Sequence, residues 1–123
     1  MDFNTLILLL IFQLKHLIAD YFWQFPYMYE NKGKPEDWAK PLTDHAGMHA
    51  AFTLIIAGLF TLDPILTLGA GLFDFITHFI TDRWKATQGV GPDTSKFWTD
   101  LGIDQMVHHS VSIIIIYFIT NGF

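Results

Sequence analysis

Four predominantly apolar stretches alternate with polar intervals along the chain. The first runs from Phe3 to Phe25 and is closed by Pro26, which lacks the N–H a continuing helix would donate. A polar interval from Glu30 to Asp44 follows, with Gly33, Pro35 and Pro41 as breakers. Thr43 or Asp44 is placed to cap the second helix, which continues to Leu62. Asp63 and Pro64 then read as cap and first position of a third helix reaching Lys85, so the second and third must form a tight antiparallel hairpin. After the turn Gly89 to Pro92, Ser95 to Asp100 is expected to form a short interfacial helix. The last stretch runs from Ile103 to Thr120, with Asn121 and Gly122 as its stop. The pattern predicts an all-α, antiparallel four-helix transmembrane bundle, one domain over 1–123, with spans at about 3–25, 44–62, 64–85 and 103–120.

The polar residues that interrupt these stretches are paired. His16 stands four residues before Asp20, His45 four before His49, His78 four from both Asp74 and Asp82, and His108 four after Asp104. A spacing of four places both side chains on one helix face. His109 is rotated about 100° from the face of its neighbour and is left out of the set.

Composition decides what surrounds the helices. Half of the residues are hydrophobic; between His45 and Thr81 only Asp63 and Asp74 are charged, and from Gln105 onward no side chain is. Helices apolar all round need burial in protein or lipid, and 123 residues cannot bury so many in protein. An integral membrane protein is expected, although the mean hydropathy of +0.33 is modest. The net charge of −5 and the absence of a Lys/Arg run argue against nucleic acid. Without cysteine there is no disulfide, thiolate ligand or cysteine nucleophile. The stretch Met1 to Asn4 carries Asp2 and no positive charge, unlike a cleaved signal peptide.

Basic residues set the expected orientation. Lys32, Lys34 and Lys40 fall in the first loop and Arg83, Lys85 and Lys96 in or beside the third, so both loops are expected in the cytoplasm and both termini outside a bacterial inner membrane. All four polar pairs then come out at the cytoplasmic end of the bundle, most of their side chains within roughly 15 Å of the helix ends. Unrelated histidines would have no reason to agree in depth. Trp23, Tyr27, Tyr29, Trp38, Trp84 and Trp98 cluster near the same boundary, as an aromatic belt does.

Imidazole and carboxylate together suit a transition metal, and helical bundles build such sites from inward-facing side chains. His16, Asp20, His45, His49, His78, Asp82, Asp104 and His108 form the expected ligand set, enough for two metals or for one metal with carboxylates orienting the imidazoles. Zinc is the first expectation, with iron or manganese as alternatives. His45 and His49 do not form the zinc-protease motif, because Ala46 stands where its catalytic Glu belongs. Asp74 leaves three readings open: proton relay, partner of a ligand, or helix-packing hydrogen bond. Gly69, Ala70 and Gly71 read as a close helix contact, since no phosphate-loop pattern follows. Lys15 and Arg83 suit snorkelling to headgroups, whereas Lys85, three residues past Asp82, is placed to hold a phosphate or carboxylate if it turns inward.

The string Lys15-His16-Leu17-Ile18-Ala19-Asp20-Tyr21-Phe22-Trp23-Gln24, with the later His45-xxx-His49, His78-xxx-Asp82-xx-Lys85 and Asp104-Gln105-xx-His108, resembles the DUF3307 family of small multi-pass membrane proteins from bacteria and their phages. The likeness covers nearly the whole chain and adds Gln24 to the polar face. It supports the site and implies no activity. A looser likeness of pattern connects the chain with small inner-membrane proteins described as metal-dependent hydrolases.

The leading expectation is a membrane-embedded metal-dependent hydrolase acting on a lipid or lipid-linked substrate, with Asp20 or Asp104 as general base and Lys85 on a substrate anion. A metal-ion or proton-conducting membrane protein is the main alternative. A di-iron oxidase would need more histidines, and a haem protein fits the Asp partners less well. Expected partners are membrane lipid and a lipid-linked substrate, with a homo-oligomer left open.

Overall fold

The computed structural model describes residues 2–122, and among them every regular element is a helix. Helix α1 spans Phe3–Leu17 and is capped by the Asp2 carboxylate, which accepts from the Thr5 amide. It runs on into one wide π turn, Ile18–Phe22. Short helix α2 (Pro26–Asn31) begins on the proline that closes the first apolar stretch. Long helices α3 (Ala39–Thr61), α4 (Pro64–Ala86) and α5 (Ser95–Asn121) complete the chain. α3 packs on α4, α4 on α5, and α5 on α1, with α1 also touching α3 to close the ring.

Three boundaries differ from the sequence expectation. The second helix begins at Ala39, so Thr43 and Asp44 lie inside it and cap nothing. Pro41 sits in the first turn, where the missing N–H has no helical acceptor to lose. No separate interfacial helix precedes the last long one: Ser95 to Asn121 is continuous, capped by the Thr94 hydroxyl at the Phe97 amide. The first helix ends at Phe22 rather than Phe25. The Asp63-Pro64 start behaves as expected, with the carboxylate accepting from the amides of Ile65 and Leu66. The link before it is only Leu62 and Asp63, so α3 and α4 form the antiparallel hairpin.

Polarity is inverted relative to a water-soluble fold. His45, His49, Thr53 and Asp74 are fully buried, while Leu59, Ile65, Leu68 and Phe3 are each more than 60% exposed. Phe3–Phe22, Pro64–Ala86 and Ser95–Asn121 are each long and apolar enough to cross a membrane. α3 is not among them, because Lys40, Asp44, His45 and His49 occupy its first half. Apolar side chains outward and ionisable groups inward is the arrangement of a membrane protein. The apolar part of the core, Leu8, Phe12, Ile56, Val111, Ile115 and Ile116, fills the bundle on the side away from the loops.

The two polar loops lie at one end and are fastened together. Arg83 donates to the carbonyls of Lys32 (2.8 Å) and Lys34 (3.0 Å) and lies 4.1 Å from the Trp38 ring centroid. α2 is tied to α3 where Tyr27 donates to Asp44 at 2.7 Å, a carboxylate that Lys40 also engages. That bond to a carboxylate holds the Tyr27 hydroxyl above its ordinary pKa. Gly33 approaches α4 so closely that an added Cβ would lie 2.4 Å from the Ala86 carbonyl oxygen. Gly33→Ala should therefore lever the Lys32 loop off α4 and destabilise the protein by about 1–3 kcal/mol. Gly47→Ala, with open space around it, should be neutral or stabilising by up to ~1 kcal/mol. Thermal unfolding of both variants in detergent checks the pair.

Candidate metal centre

The side chains of all eight expected ligands converge between α1, the π turn, α3, α4 and α5. His16 Nε2 lies 3.1 Å from Asp20 Oδ2, and His49 Nε2 lies 2.9 Å from Asp20 Oδ1. His45 Nε2 stands 3.0 Å from Asp82 Oδ2 and 3.3 Å from Asp20 Oδ1, so it joins two carboxylates from different helices. On the far side His108 Nε2 is 3.0 Å from Asp82 Oδ1 and 3.3 Å from Asp104 Oδ1. The rings of His49, His78 and His108 form a stack, with centroids 3.8 Å and 4.0 Å apart.

Local structure explains the convergence. In α3, α4 and α5 the spacing of four keeps each pair on the inner face. In the first segment the backbone widens into the π turn at Ile18–Phe22, which contains Asp20. Such turns occur mostly as single insertions at functional positions. Gln24 donates to the Asp20 carbonyl at 2.9 Å, satisfying an acceptor at the wide turn.

Three groups of side chains bring their ligand atoms within 4.8 Å of one another: His16, His49 and His78; Asp20, His45 and His49; Asp82, Asp104 and His108. His49 belongs to two of them. Within this centre both nitrogens of His45, Nδ1 of His49 and His108, Nε2 of His78 and Oδ1 of Asp104 are buried without a hydrogen-bond partner. His45 Nε2 is near its carboxylates yet outside hydrogen-bond geometry. An unmet buried polar atom costs about 1–3 kcal/mol, so this concentration of free donor atoms fits a bound cation.

Charge gives the same reading. Four carboxylates, Asp20, Asp74, Asp82 and Asp104, are held inside. Lys15 pairs with Asp74 at 2.5 Å and Lys32 with Asp82 at 2.7 Å, offsetting two of the four charges. Two negative charges remain, which one divalent cation neutralises. Two protonated histidines would also balance them, and His45 and His108 each lie between two carboxylates, but a cation would in addition take up the unpartnered imidazole nitrogens.

Asp74 both partners His78, one of the expected ligands, and packs helices together. Its Oδ2 accepts from Lys15 Nζ and from Thr53 Oγ1, each at 2.5 Å, binding α1 and α3 to α4. Its backbone carbonyl lies 3.1 Å from His78 Nδ1. A carbonyl can only accept, so Nδ1 carries the proton, and a neutral His78 ring presents its Nε2 lone pair to the centre.

Sequence reasoning missed several partners. Lys32, used there only for orientation, occupies Asp82 Oδ2, the place near which Lys85 was expected. Lys85 instead places its Nζ 4.3 Å from the Phe97 ring centroid and lines the cavity above the centre. Lys15 does not snorkel but is buried on Asp74. Arg83 is spent on loop carbonyls rather than on the site. Gln105 bridges the first and last pairs: its Oε1 accepts from His16 Nε2 at 2.7 Å, and its Nε2 donates to Asp20 Oδ2 at 3.4 Å and to Asp104 Oδ2 at 3.0 Å. Its position directly after Asp104, within the Asp-Gln-xx-His string, was the available signal. His109 stays outside the three groups, half-buried, with its ring centroid 4.9 Å from that of His16.

The family model described as "Protein of unknown function (DUF3307)" matches residues 6–122, nearly the whole chain. Neither the curated proteins nor the solved structures contain a match.

Proposed function

The chain belongs to the DUF3307 family, whose description assigns no activity, and from the site itself we propose that it is a membrane-embedded metal-dependent hydrolase acting on a lipid or lipid-linked substrate. The observation that carries this reading is the buried constellation of unpartnered imidazole and carboxylate atoms with two uncompensated negative charges. A divalent ion there, zinc first and iron or manganese next, would supply Lewis acidity and a nucleophile at neutral pH. Imidazole-rich donor sets with a carboxylate suit these metals. Asp20 and Asp104 both line the open cavity of 590 Å³ above the centre, where either can take a proton from an entering water. Asp74 is closed off from that cavity by Lys15 and Thr53 and holds His78 in place.

The cavity opens at the end where the two polar loops meet, beside the exposed ring of Tyr21. Basic residues in those loops favour the cytoplasmic side of a bacterial inner membrane, with α3 as a fourth span shielded by its neighbours. Cysteines introduced singly at Asn31 and Gln88 should be shielded from an impermeant thiol reagent in intact cells, and one at Asn121 should be labelled. Labelling at 31 and 88 with protection at 121 would invert the orientation.

The activity is tested by incubating detergent-purified protein with a lipid extract before and after chelation and metal restoration. Metal-dependent appearance of a hydrolysed lipid is expected. The competing conduit reading draws on Asp74, which continues the polar track inward. Lys15 argues against it by placing an ammonium on that track. Metal uptake into proteoliposomes that Asp74→Asn abolishes, with no lipid consumed, would replace the hydrolase by a transporter.

A further inference from the structure

The cavity above the centre holds two cations that the centre does not use. Lys32, Lys34 and Lys85 all line it, together with the carboxylates of Asp20, Asp82 and Asp104 that form its floor. Lys32 is committed to Asp82. Lys34 donates only to the neutral Asn31 Oδ1 at 2.6 Å, and Lys85 rests on the face of Phe97. Among the described residues neither forms an ion pair with a carboxylate. By contrast Lys15, Lys32, Lys40 and Lys96 each pair with an aspartate. Glu30, exposed at the rim, brings the lining to four carboxylates against three ammonium groups, so an anion enters only over a bound cation.

We propose that this cavity is a phosphate subsite, in which Lys34 and Lys85 hold the oxygens of a phosphate monoester, or of free phosphate, over the carboxylate floor. The assignment rests on the reading of that floor as a divalent-metal centre, since without a cation the carboxylates would repel the ligand. A doubly charged anion matches the pair of ammonium groups better than a carboxylate does, and its several oxygens can face both the lysines and the floor. The walls suit an apolar extension of that anion: Phe97 and Leu101 line the same cavity, and Tyr21, also lining it, is 62% exposed on the outer face. The Lys85 ammonium lies over the face of Phe97, and both line the cavity.

Calorimetric titration of metal-loaded, detergent-purified protein with three probes tests the subsite: inorganic phosphate, dihexanoyl phosphatidic acid and dihexanoyl phosphatidylcholine. Phosphatidic acid should bind and phosphatidylcholine should not. Lys34→Gln and Lys85→Gln should each weaken binding by about tenfold, and the double variant by about a hundredfold, from loss of charge-assisted hydrogen bonds of about 1.5–3 kcal/mol each. Metal content should stay at the wild-type level in all three variants, which shows that the fold is intact. Inorganic phosphate binding as tightly as phosphatidic acid would identify free phosphate as the ligand; tenfold weaker binding would identify the lipid headgroup. Equal affinity of wild type and double variant, or no binding of either phosphate probe by the wild type, would overturn the subsite. Phosphate bound through the lysines but never released from a lipid would leave the subsite standing and overturn the hydrolase; lipid cleavage indifferent to both lysines would do the reverse.

Discussion

Asp74→Ala should destabilise the folded protein by about 3–5 kcal/mol, the loss typical of breaking one side of a buried ion pair. The cause is what it leaves behind. Lys15 is 4% exposed, and among the described residues Asp74 is its only carboxylate within ion-pair distance. The same change leaves the Thr53 hydroxyl without its acceptor and frees the His78 ring from a neighbour 2.9 Å away. Replacing both charges, Lys15→Met with Asp74→Leu, should recover most of the loss, because an apolar pair of similar volume needs no compensation. Reversible unfolding in mixed micelles measures both. If the double variant is as unstable as Asp74→Ala, the ion pair is not the source of the cost.

The second large effect concerns the centre. His49 and Asp104 between them enter all three ligand groups. His49→Ala combined with Asp104→Asn should therefore lower metal affinity by more than the ~10–100-fold that follows loss of an outer partner. Turnover of lipid should disappear with the metal, and the fold should lose the stabilisation the ion provides, about 3–4 kcal/mol at a free concentration of 100–1,000 times Kd. Inductively coupled plasma analysis and unfolding of the same preparation give the two readings. Wild-type occupancy in this variant would refute the ligand set.

Much of the centre was legible because helical periodicity is local. A His and an Asp four apart share a face whatever the rest of the chain does, so the eight side chains that converge could be named from spacing. The partners that complete them join residues distant in sequence. Lys15 and Asp74 are 59 residues apart and Lys32 and Asp82 are 50 apart, and no period links them. Lys15 sits one position from His16, about 100° off the face of that pair, and only the packing of α1 against α4 shows it buried on Asp74 rather than reaching the headgroups.

The misplaced boundaries have similar causes. Pro41 was read as a breaker, yet a proline in the first turn of a helix loses no hydrogen bond. The sequence pattern predicts Ser95 to Asp100 as a helix separate from the span starting at Ile103, but the Thr94 cap and a pair between Lys96 and Asp100 at 2.5 Å begin one helix that runs through both. The π turn that presents Asp20 has no composition of its own and becomes visible only in three dimensions.

The central claim is that a divalent cation neutralises the two charges left inside the bundle. Elemental analysis of wild-type protein purified in detergent without added metal, paired with its melting temperature before and after chelation, tests this most directly. One to two equivalents of a transition metal, zinc foremost, are expected, with a melting temperature that falls on chelation and returns on addition of the metal. Metal-free protein whose melting temperature is unchanged by chelator and by added zinc, manganese or iron would contradict the claim.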